Sequence, residues 1–217
     1  MPCLLPSCRL KKVQLTGTLG VAFLMLLLQG CGSSNSAQKA EAPSDYPDYD
    51  IPEEATEVSE ELEPFTPKWY VERYKVYAIK EMKRTGIPAS ITLAQGMLES
   101  SYGKSKLSKE GNNHFGIKCH RDNWEGGEMY MADDRPNECF RTYPTPLQSF
   151  QDHSRFLVKG QRYSELFELK PNDYKNWAEG LKEAGYATNP RYDQLLIKLI
   201  KEHNLHYFDQ FYNKPYK

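Results

Sequence analysis

The carboxyl group of Glu99 is the first candidate for chemistry in this sequence. It lies near the end of a segment whose apolar residues recur at helical spacing, which predicts a helix over 89–102; they are Ile91, Ala94, Leu98 and Tyr102. Gly103 is well suited to end that helix. A carboxyl group beside an apolar face loses part of its hydration, which raises its pKa toward that of a general acid. The plain alternative is a solvated residue at a helix end.

The elements that must position Glu99 belong to one predicted domain, residues 65–217. Helices are expected over 69–84, 89–102, 145–159, 164–169, 173–183 and 190–203. Turn signals interrupt the helical period further along, which favours a small antiparallel element with strands at 115–119, 128–131 and 138–143. The fold class is therefore α+β, mostly α, and the domain is large enough for a real core. The aromatic tail after Leu205 is expected to pack only in part.

Residues 1–30 are typical of an export signal. Three basic residues precede an apolar stretch over 13–28, which is 16 residues long and short for a membrane span. The stretch ends in Leu-Gln-Gly-Cys31, which resembles the bacterial lipobox and implies cleavage before Cys31 and lipidation of that cysteine. An ordinary signal peptide or a single anchoring helix is the alternative. Gly32 stands where an inner-membrane retention signal would have Asp, so we expect an outer-membrane anchor facing the periplasm.

Residues 31–64 are predicted to be a lipidated cysteine followed by a disordered acidic linker. Residues 32–64 hold ten acidic residues and one basic residue, together with several prolines and serines. Such a segment cannot bury enough apolar area to offset its ordering entropy. It therefore indicates a tether that holds a soluble domain away from a membrane.

The near-neutral total charge hides a basic domain. The chain has 28 basic and 29 acidic residues, but residues 65–217 hold 24 basic and 19 acidic ones. A mildly basic domain suits an acidic polymer such as a cell wall. The excess is too small and scattered to indicate a nucleic-acid site, so we expect no nucleic-acid partner.

Two cysteines remain in the predicted domain, Cys119 and Cys139, on either side of the predicted hairpin. Outside the cytoplasm such a pair favours a disulfide, which would contribute roughly 3 kcal/mol by closing a loop of about 20 residues. The alternative is a zinc site formed by both cysteines, His120 and either His114 or His153. Because the spacing matches no usual zinc pattern, we expect neither a metal nor a cofactor.

Four motifs in this order carry a family resemblance. L-A-Q-G-M-L-E-S-S-Y-G-K-S occupies 93–105 and G-N-N-H-F-G-I-K occupies 111–118, followed by E-C-F-R-T-Y at 138–143 and A-G-Y-A-T-N-P-R-Y at 184–192. Together they resemble the glucosaminidase family of peptidoglycan hydrolases, glycoside hydrolase family 73, over nearly all of residues 70–205. The resemblance implies a lysozyme-like fold with an α lobe and a β lobe beside a sugar-binding groove. It also implies cleavage of the glycan strand after N-acetylglucosamine.

The resemblance assigns the catalytic carboxylates with unequal clarity. Glu99 matches the family's catalytic glutamate, which implies a general acid that protonates the glycosidic oxygen as the bond breaks. A second carboxylate is usually needed as nucleophile or base. Many members carry it in a Thr-Glu-Tyr strand, from which this chain departs. Asp133 or Asp134 is the nearest match, with Glu128 and Glu138 in reserve, and a plain turn is the alternative for the two aspartates.

Other positions are assigned to the groove by the same resemblance. Tyr186 matches a tyrosine near the catalytic glutamate, and would position a water or bind the N-acetyl group. Asn113 and Phe115 match an N-x-F-G pattern at the groove floor. We expect Trp124 either to stack on a sugar ring or simply to pack in the hairpin.

The sequence thus predicts a lipid-anchored endo-β-N-acetylglucosaminidase that acts on peptidoglycan. A lytic transglycosylase or muramidase of the same fold is the nearest rival enzyme. A non-catalytic wall-binding module that has lost the second carboxylate is the rival of another class.

Overall fold

A computed structural model describes residues 62–119, 124–133 and 135–213 of the chain. The predicted export signal, Cys31 and most of the acidic linker lie outside these residues. The helices are α1 Pro67–Thr85, α2 Ala89–Ser100, α3 Lys106–Gly111, α4 Pro146–Lys159, α5 Tyr174–Glu183 and α6 Tyr192–Glu202. Two strands, β1 Gly127–Met131 and β2 Glu138–Thr142, and two 3₁₀ segments, Gln161–Glu168 and Leu205–Phe211, complete the elements. The prediction of a mostly helical domain with a small antiparallel lobe is confirmed.

Helix α2 is the centre of the helical lobe. Ten of its twelve residues are buried, and it packs against α1, α5, α6 and the segment Leu205–Phe211. Its contact with α1 requires a glycine, because a Cβ on Gly96 would lie 2.4 Å from the Tyr70 hydroxyl. A helix surrounded by others on most sides has little freedom to shift. Its final turn, which carries Glu99, is therefore held rigidly.

The start of α2 is capped by a residue from the far end of the chain. Pro88 at the N-cap makes no side-chain hydrogen bond. Instead, Asp209 accepts a bond of 2.9 Å from the Ser90 amide and one of 2.6 Å from the Ser90 hydroxyl. Leu205 and Phe208 of the same segment are buried. The expectation that this tail packs only in part is confirmed, because Phe208 and Asp209 are buried while Tyr207 and Tyr212 remain exposed.

The β lobe is a single antiparallel hairpin whose register pairs Gly127 with Thr142 and Met131 with Glu138. The predicted strand at 115–119 is reduced to one isolated bridge, between Lys118 and Phe140. Just before it, the Asn113 side chain bonds backbone groups of this loop at Phe115 and Ile117 and the carbonyl of Arg141 in β2. These side-chain hydrogen bonds pair backbone groups of the loop that would otherwise be paired by a neighbouring strand.

A disulfide joins Cys119 to Cys139 across the lobe, with 5.5 Å between their Cα atoms. This arrangement agrees with the predicted pair and removes both thiols from the zinc alternative. The described residues contain one cluster of three potential metal donors, Cys119, Cys139 and Glu128. Two of its three members are the disulfide sulfurs.

The end of α2 and the presence of α3 are the clearest differences from the helices predicted by the sequence. Helix α2 ends at Ser100 rather than at 102, because Ser101, Tyr102 and Gly103 all adopt positive φ angles of 52°, 60° and 80°. The short helix α3 was not predicted; its N-cap Ser105 accepts a hydrogen bond from the Ser108 amide. Within the described part of the chain, no helix is long and apolar enough to cross a membrane.

Candidate active site

A cleft of about 600 Å³ opens between the helical lobe and the β lobe. One wall holds Glu99 and the loop before α6, and the opposite wall holds the end of β1. Its lining residues from these two walls include Glu99, Tyr186, Ala187, Thr188, Met131, Ala132 and Asp133. Glu99 and Asp133 are the carboxylates among the described lining residues. The cleft therefore brings together two of the predicted acidic candidates.

Glu99 occupies the last turn of α2, where the chain bends sharply. The Ser100 hydroxyl donates to the Gly96 carbonyl at 2.5 Å and accepts from the Gly103 amide at 2.7 Å. The left-handed conformation that follows is not favoured for L-amino acids, and Ser101 and Tyr102 each carry that cost. Such strain concentrates at functional sites when the surroundings fix it. Here it turns the chain away and leaves Glu99 facing the cleft.

The environment of Glu99 favours its protonated form. The residue is accessible to solvent, yet it lies inside a cleft whose walls displace much of the surrounding water. This desolvation raises the pKa of Glu99, a hydrogen bond from Tyr192 opposes the rise, and the negative charge of Asp133 adds to it. The raised pKa agrees with the expectation drawn from the apolar helix face.

Two stacked tyrosines back the carboxyl group. The Tyr192 hydroxyl donates to Glu99 Oε1 at 2.9 Å, and the Tyr186 ring stacks on Tyr192 with centroids 5.6 Å apart. Burial, followed by the Glu99 charge, raises the pKa of Tyr186 well above its usual value. Tyr186 is therefore a neutral phenol that lines the cleft and is able to donate a hydrogen bond.

Asp133 lies on the β-lobe wall, just beyond β1. Its Oδ2 atom is 2.9 Å from Lys118 Nζ, which also lies 2.6 Å from Glu138 Oε2. Glu138 faces this ion pair and is absent from the cleft lining. Glu128 is exposed and accepts a hydrogen bond from Tyr130, also away from the cleft. Asp134 lies outside the described residues.

The cleft floor uses the two predicted residues in different ways. Phe115 lines the cleft and stacks on His153 with centroids 4.0 Å apart. Asn113 is buried and does not line it; its Nδ2 donates to the carbonyls of Ile117 and Arg141 at 3.0 and 2.9 Å. Asn113 therefore shapes the floor from below rather than touching a ligand directly.

The structure places Trp124 outside the cleft lining. Its indole nitrogen donates to the Gly127 carbonyl at 2.9 Å, and its ring contacts Tyr143 edge-on. The Arg141 guanidinium lies 4.8 Å from the ring centroid. These contacts match hairpin packing, the second of the two roles expected for Trp124.

Several cleft and network residues were not assigned from the sequence. Arg162 lines the cleft beside Tyr186, and Gln95 and Tyr192 lie directly behind Glu99. Tyr192 and Gln95 both lie within the family motifs at 184–192 and 93–105, so the sequence could have identified them as site residues. Arg162 stands in none, and only its position beside the cleft identifies it.

Residues 75–205 match the model of the glucosaminidase family, described as mannosyl-glycoprotein endo-beta-N-acetylglucosaminidase. The exo-glucosaminidase LytG of Bacillus subtilis is 32% identical over 134 residues, which are 56% of this chain and 46% of LytG. The peptidoglycan hydrolase FlgJ of Vibrio parahaemolyticus is 31% identical over 145 residues, covering 62% of this chain and 46% of FlgJ. The chain thus matches about half the length of these curated relatives.

Solved structures share the same architecture. The catalytic domain of the autolysin Auto from Listeria monocytogenes superposes with a TM-score of 0.59 at 26% identity, covering 68% of this chain and 89% of that domain. The glycoside hydrolase domain of FlgJ from Salmonella typhimurium gives a TM-score of 0.55 at 26% identity, covering 64% and 89%. The similarity therefore extends over most of each solved domain.

Proposed function

Because this chain belongs to the glucosaminidase family, we propose that it is a glycoside hydrolase, an endo-β-N-acetylglucosaminidase that cleaves peptidoglycan strands after N-acetylglucosamine. One observation carries the proposal: Glu99, a carboxyl group whose pKa is raised by burial, lines the same open cleft as a second carboxylate, Asp133. Glycoside hydrolysis usually uses such a pair. The curated relatives named for glucosaminidase and peptidoglycan hydrolase activity support the substrate class.

In this proposal Glu99 is the general acid. As the bond between the anomeric carbon and the glycosidic oxygen breaks, the Glu99 proton moves to that oxygen, and the leaving sugar departs with a neutral hydroxyl. Positive charge then develops on the sugar ring. Water adds to the anomeric carbon overall, and its proton restores the acid, so that one water is consumed for each bond cleaved.

Asp133 is proposed as the second carboxylate. It lines the same cleft as Glu99 and raises the pKa of Glu99, which is the interaction expected of two acids that share a site. The Lys118 ammonium holds Asp133 on its wall. Tyr186, a neutral phenol beside Glu99, is proposed to orient the N-acetyl group or the attacking water.

Arg162 supports a substrate that carries carboxylates. It lines the cleft, its Nη1 donates to the Gly185 carbonyl at 3.2 Å, and its guanidinium lies 4.6 Å from the Tyr163 ring centroid. Among the described residues, Arg162 has no carboxylate partner. A cation fixed beside the catalytic wall suits the acidic substituents of peptidoglycan, which an uncharged chitin-like strand lacks.

We also propose the lipoprotein arrangement expected from the sequence: a signal over 1–30, a lipidated Cys31 with a linker to 64, and a catalytic domain over 65–217. Relatives named for peptidoglycan hydrolysis act on a polymer outside the cytoplasm, which supports an extracytoplasmic location. Radiolabelled palmitate incorporated by the wild type and not by Cys31→Ala would support the anchor. Membrane fractionation would test the outer-membrane assignment; an unlabelled wild type would exclude the lipid.

The decisive experiment is digestion of purified peptidoglycan by the wild type and by Glu99→Gln. We expect new reducing ends on N-acetylglucosamine, and a loss of rate of about 10²–10⁴-fold in the variant. Glu179→Gln is the matched control, because Glu179 is exposed and lies outside the cleft lining. Anhydro-muramic products would indicate a lytic transglycosylase instead. Binding without cleavage by both proteins would indicate a wall-binding module.

A further inference from the structure

A continuous chain of hydrogen bonds leads from the protein interior to Glu99. His153 Nε2 lies 3.2 Å from Gln95 Oε1, and Gln95 Nε2 donates to the Tyr192 hydroxyl oxygen at 3.0 Å. The Tyr192 hydroxyl donates to Glu99 Oε1 at 2.9 Å. These side chains come from α4, α2 and α6, so the chain crosses the centre of the helical lobe.

The hydrogen-bond chain behind Glu99 is shielded from solvent. Gln95 and His153 are fully buried and Tyr192 is 2% exposed. The ring of Phe115 covers His153, and the ring of Tyr186 covers Tyr192. Buried polar groups cost free energy unless they are hydrogen-bonded, so each of these contacts constrains the next one strongly.

The donors in this hydrogen-bond chain all point from His153 toward Glu99. Burial lowers the pKa of His153 to about 3, so its ring is neutral and carries one proton. Nδ1 is buried without a partner among the described residues, whereas a proton on Nε2 satisfies Gln95 Oε1. Gln95 Nε2 is a donor only. The Tyr192 oxygen must therefore accept from Gln95, which leaves its own proton for Glu99.

We propose that Gln95 and His153 are positioning residues that fix the donor direction of Tyr192 toward Glu99 Oε1, so that Oε2 carries the proton delivered to the substrate. The inference rests on the proposed role of Glu99 as general acid. Gln95 and His153 touch neither the cleft nor a substrate, and act only through Tyr192. The titratable groups that face Glu99 itself are Tyr192, Tyr186 and Asp133.

The test is Gln95→Glu, which keeps the shape; because burial raises the pKa of a carboxyl group, the comparison is made at pH values where the new group is an ionised carboxylate that only accepts. Tyr192 should then donate to this new carboxylate and no longer to Glu99. Because the bond from Tyr192 lowers the pKa of Glu99, its loss should raise that pKa. The readout is the titration of the Glu99 carboxyl carbon by ¹³C NMR in the full chain, together with the alkaline limb of kcat/KM on peptidoglycan, which should move to higher pH.

A new negative charge at position 95 would also raise the pKa of Glu99 through space, so the experiment includes a double-mutant cycle. In a Tyr192→Phe background there is no hydroxyl to redirect. If the donor direction matters, Gln95→Glu shifts the Glu99 titration much less in this background than in the wild type. Equal shifts in both backgrounds, or no shift in either, would overturn the proposal.

Tyr192→Phe alone provides a second measure, should Gln95→Glu fold poorly. It should raise the pKa of Glu99 and reduce kcat/KM about tenfold while leaving the fold intact by circular dichroism; an unmoved titration would contradict the proposal. The NMR titration of Glu99 can be measured whether or not the protein cleaves peptidoglycan. An inactive wild type with the expected shifts would reject the proposed function and retain the hydrogen-bond inference, whereas an active enzyme without the shifts would do the reverse.

Discussion

Lys118 Nζ lies 2.9 Å from Asp133 Oδ2, and this ion pair joins the cleft floor to the tip of the β lobe. The same ammonium lies 2.6 Å from Glu138. Asp133 itself is nearly half exposed, so the pair contributes little to stability. The ion pair instead fixes the position of Asp133, because it holds this carboxylate on the β-lobe wall of the cleft that Glu99 also lines.

Asp133→Asn should therefore impair catalysis and change the response to pH in a definite direction. We expect kcat/KM to fall about 10²-fold or more because the second carboxylate is lost. The Asp133 charge raises the pKa of Glu99, so its removal should lower that pKa. Activity that depends on protonated Glu99 would then decline at lower pH than in the wild type. Pre-steady-state and steady-state rates across pH measure both effects.

Glu138→Gln is the matched control for that variant, because Glu138 shares Lys118 with Asp133 but does not line the cleft. We expect its alkaline limb to stay near that of the wild type. If Asp133→Asn retained full activity while Asp134→Asn lost it, the second carboxylate would be Asp134.

Arg162→Gln should alter substrate choice. Three soluble strands separate the contributions: an N-acetylglucosamine oligomer, peptidoglycan glycan stripped of peptide with free lactyl carboxylates, and glycan with intact stem peptides. We expect the variant to lose about tenfold in kcat/KM on the carboxylate-bearing strands and to keep its rate on the uncharged oligomer. A loss on the stripped glycan alone would identify the lactyl carboxylate, and a loss on the peptide-bearing glycan alone would identify a stem-peptide carboxylate. A loss on both would show that Arg162 binds either group.

Lys170→Gln removes the same charge from an exposed position outside the cleft lining. It should leave all three rates unchanged. An equal loss on the uncharged oligomer in Arg162→Gln would show that Arg162 supports the fold of the loop at Gly185 rather than binding an anion.

Asp209 should make stability depend on pH. Burial raises the pKa of Asp209 from 3.8 to about 7, so the native state binds this proton more tightly than the unfolded chain does. The resulting contribution to the free energy of unfolding is complete below about pH 4 and is lost as the pH rises through about 7. Its full size is on the order of 4 kcal/mol.

Asp209→Asn isolates that contribution, because the other titrating groups are common to both proteins. Urea unfolding at a series of pH values should show the stability of the wild type, relative to the variant, falling between about pH 4 and 8. A difference that stays constant over this range would mean that Asp209 titrates alike in both states.

The disulfide should stabilise the domain by cross-linking the β lobe. It closes a loop with a sequence separation of 20 between Cys119 and Cys139, which corresponds to roughly 3 kcal/mol in the loop-entropy model. Cys119→Ser/Cys139→Ser should lower the midpoint of thermal unfolding measured by calorimetry. Added reductant should lower the midpoint of the wild type and leave that of the double variant unchanged.

The sequence by itself predicted the helical lobe, the hairpin, the cysteine pair and Glu99, because these features depend on local periodicity, turn residues and motifs that survive without tertiary contacts. It missed the left-handed run after Ser100, since Ser101 and Tyr102 have no intrinsic preference for that conformation. It also did not predict the cap at the start of α2, because Asp209 finds its partner Ser90 far away in the chain.

Only the tertiary structure decided which groups meet. Asp133 could be distinguished from Glu128 and Glu138 only by the wall that each side chain faces, and Trp124 only by its contact with Arg141. The hydrogen-bond chain behind Glu99 joins residues 95, 153 and 192, which are brought together by the packing of three helices. Spacing along the chain carries no information about such a meeting, because it depends on how the helices cross in the core.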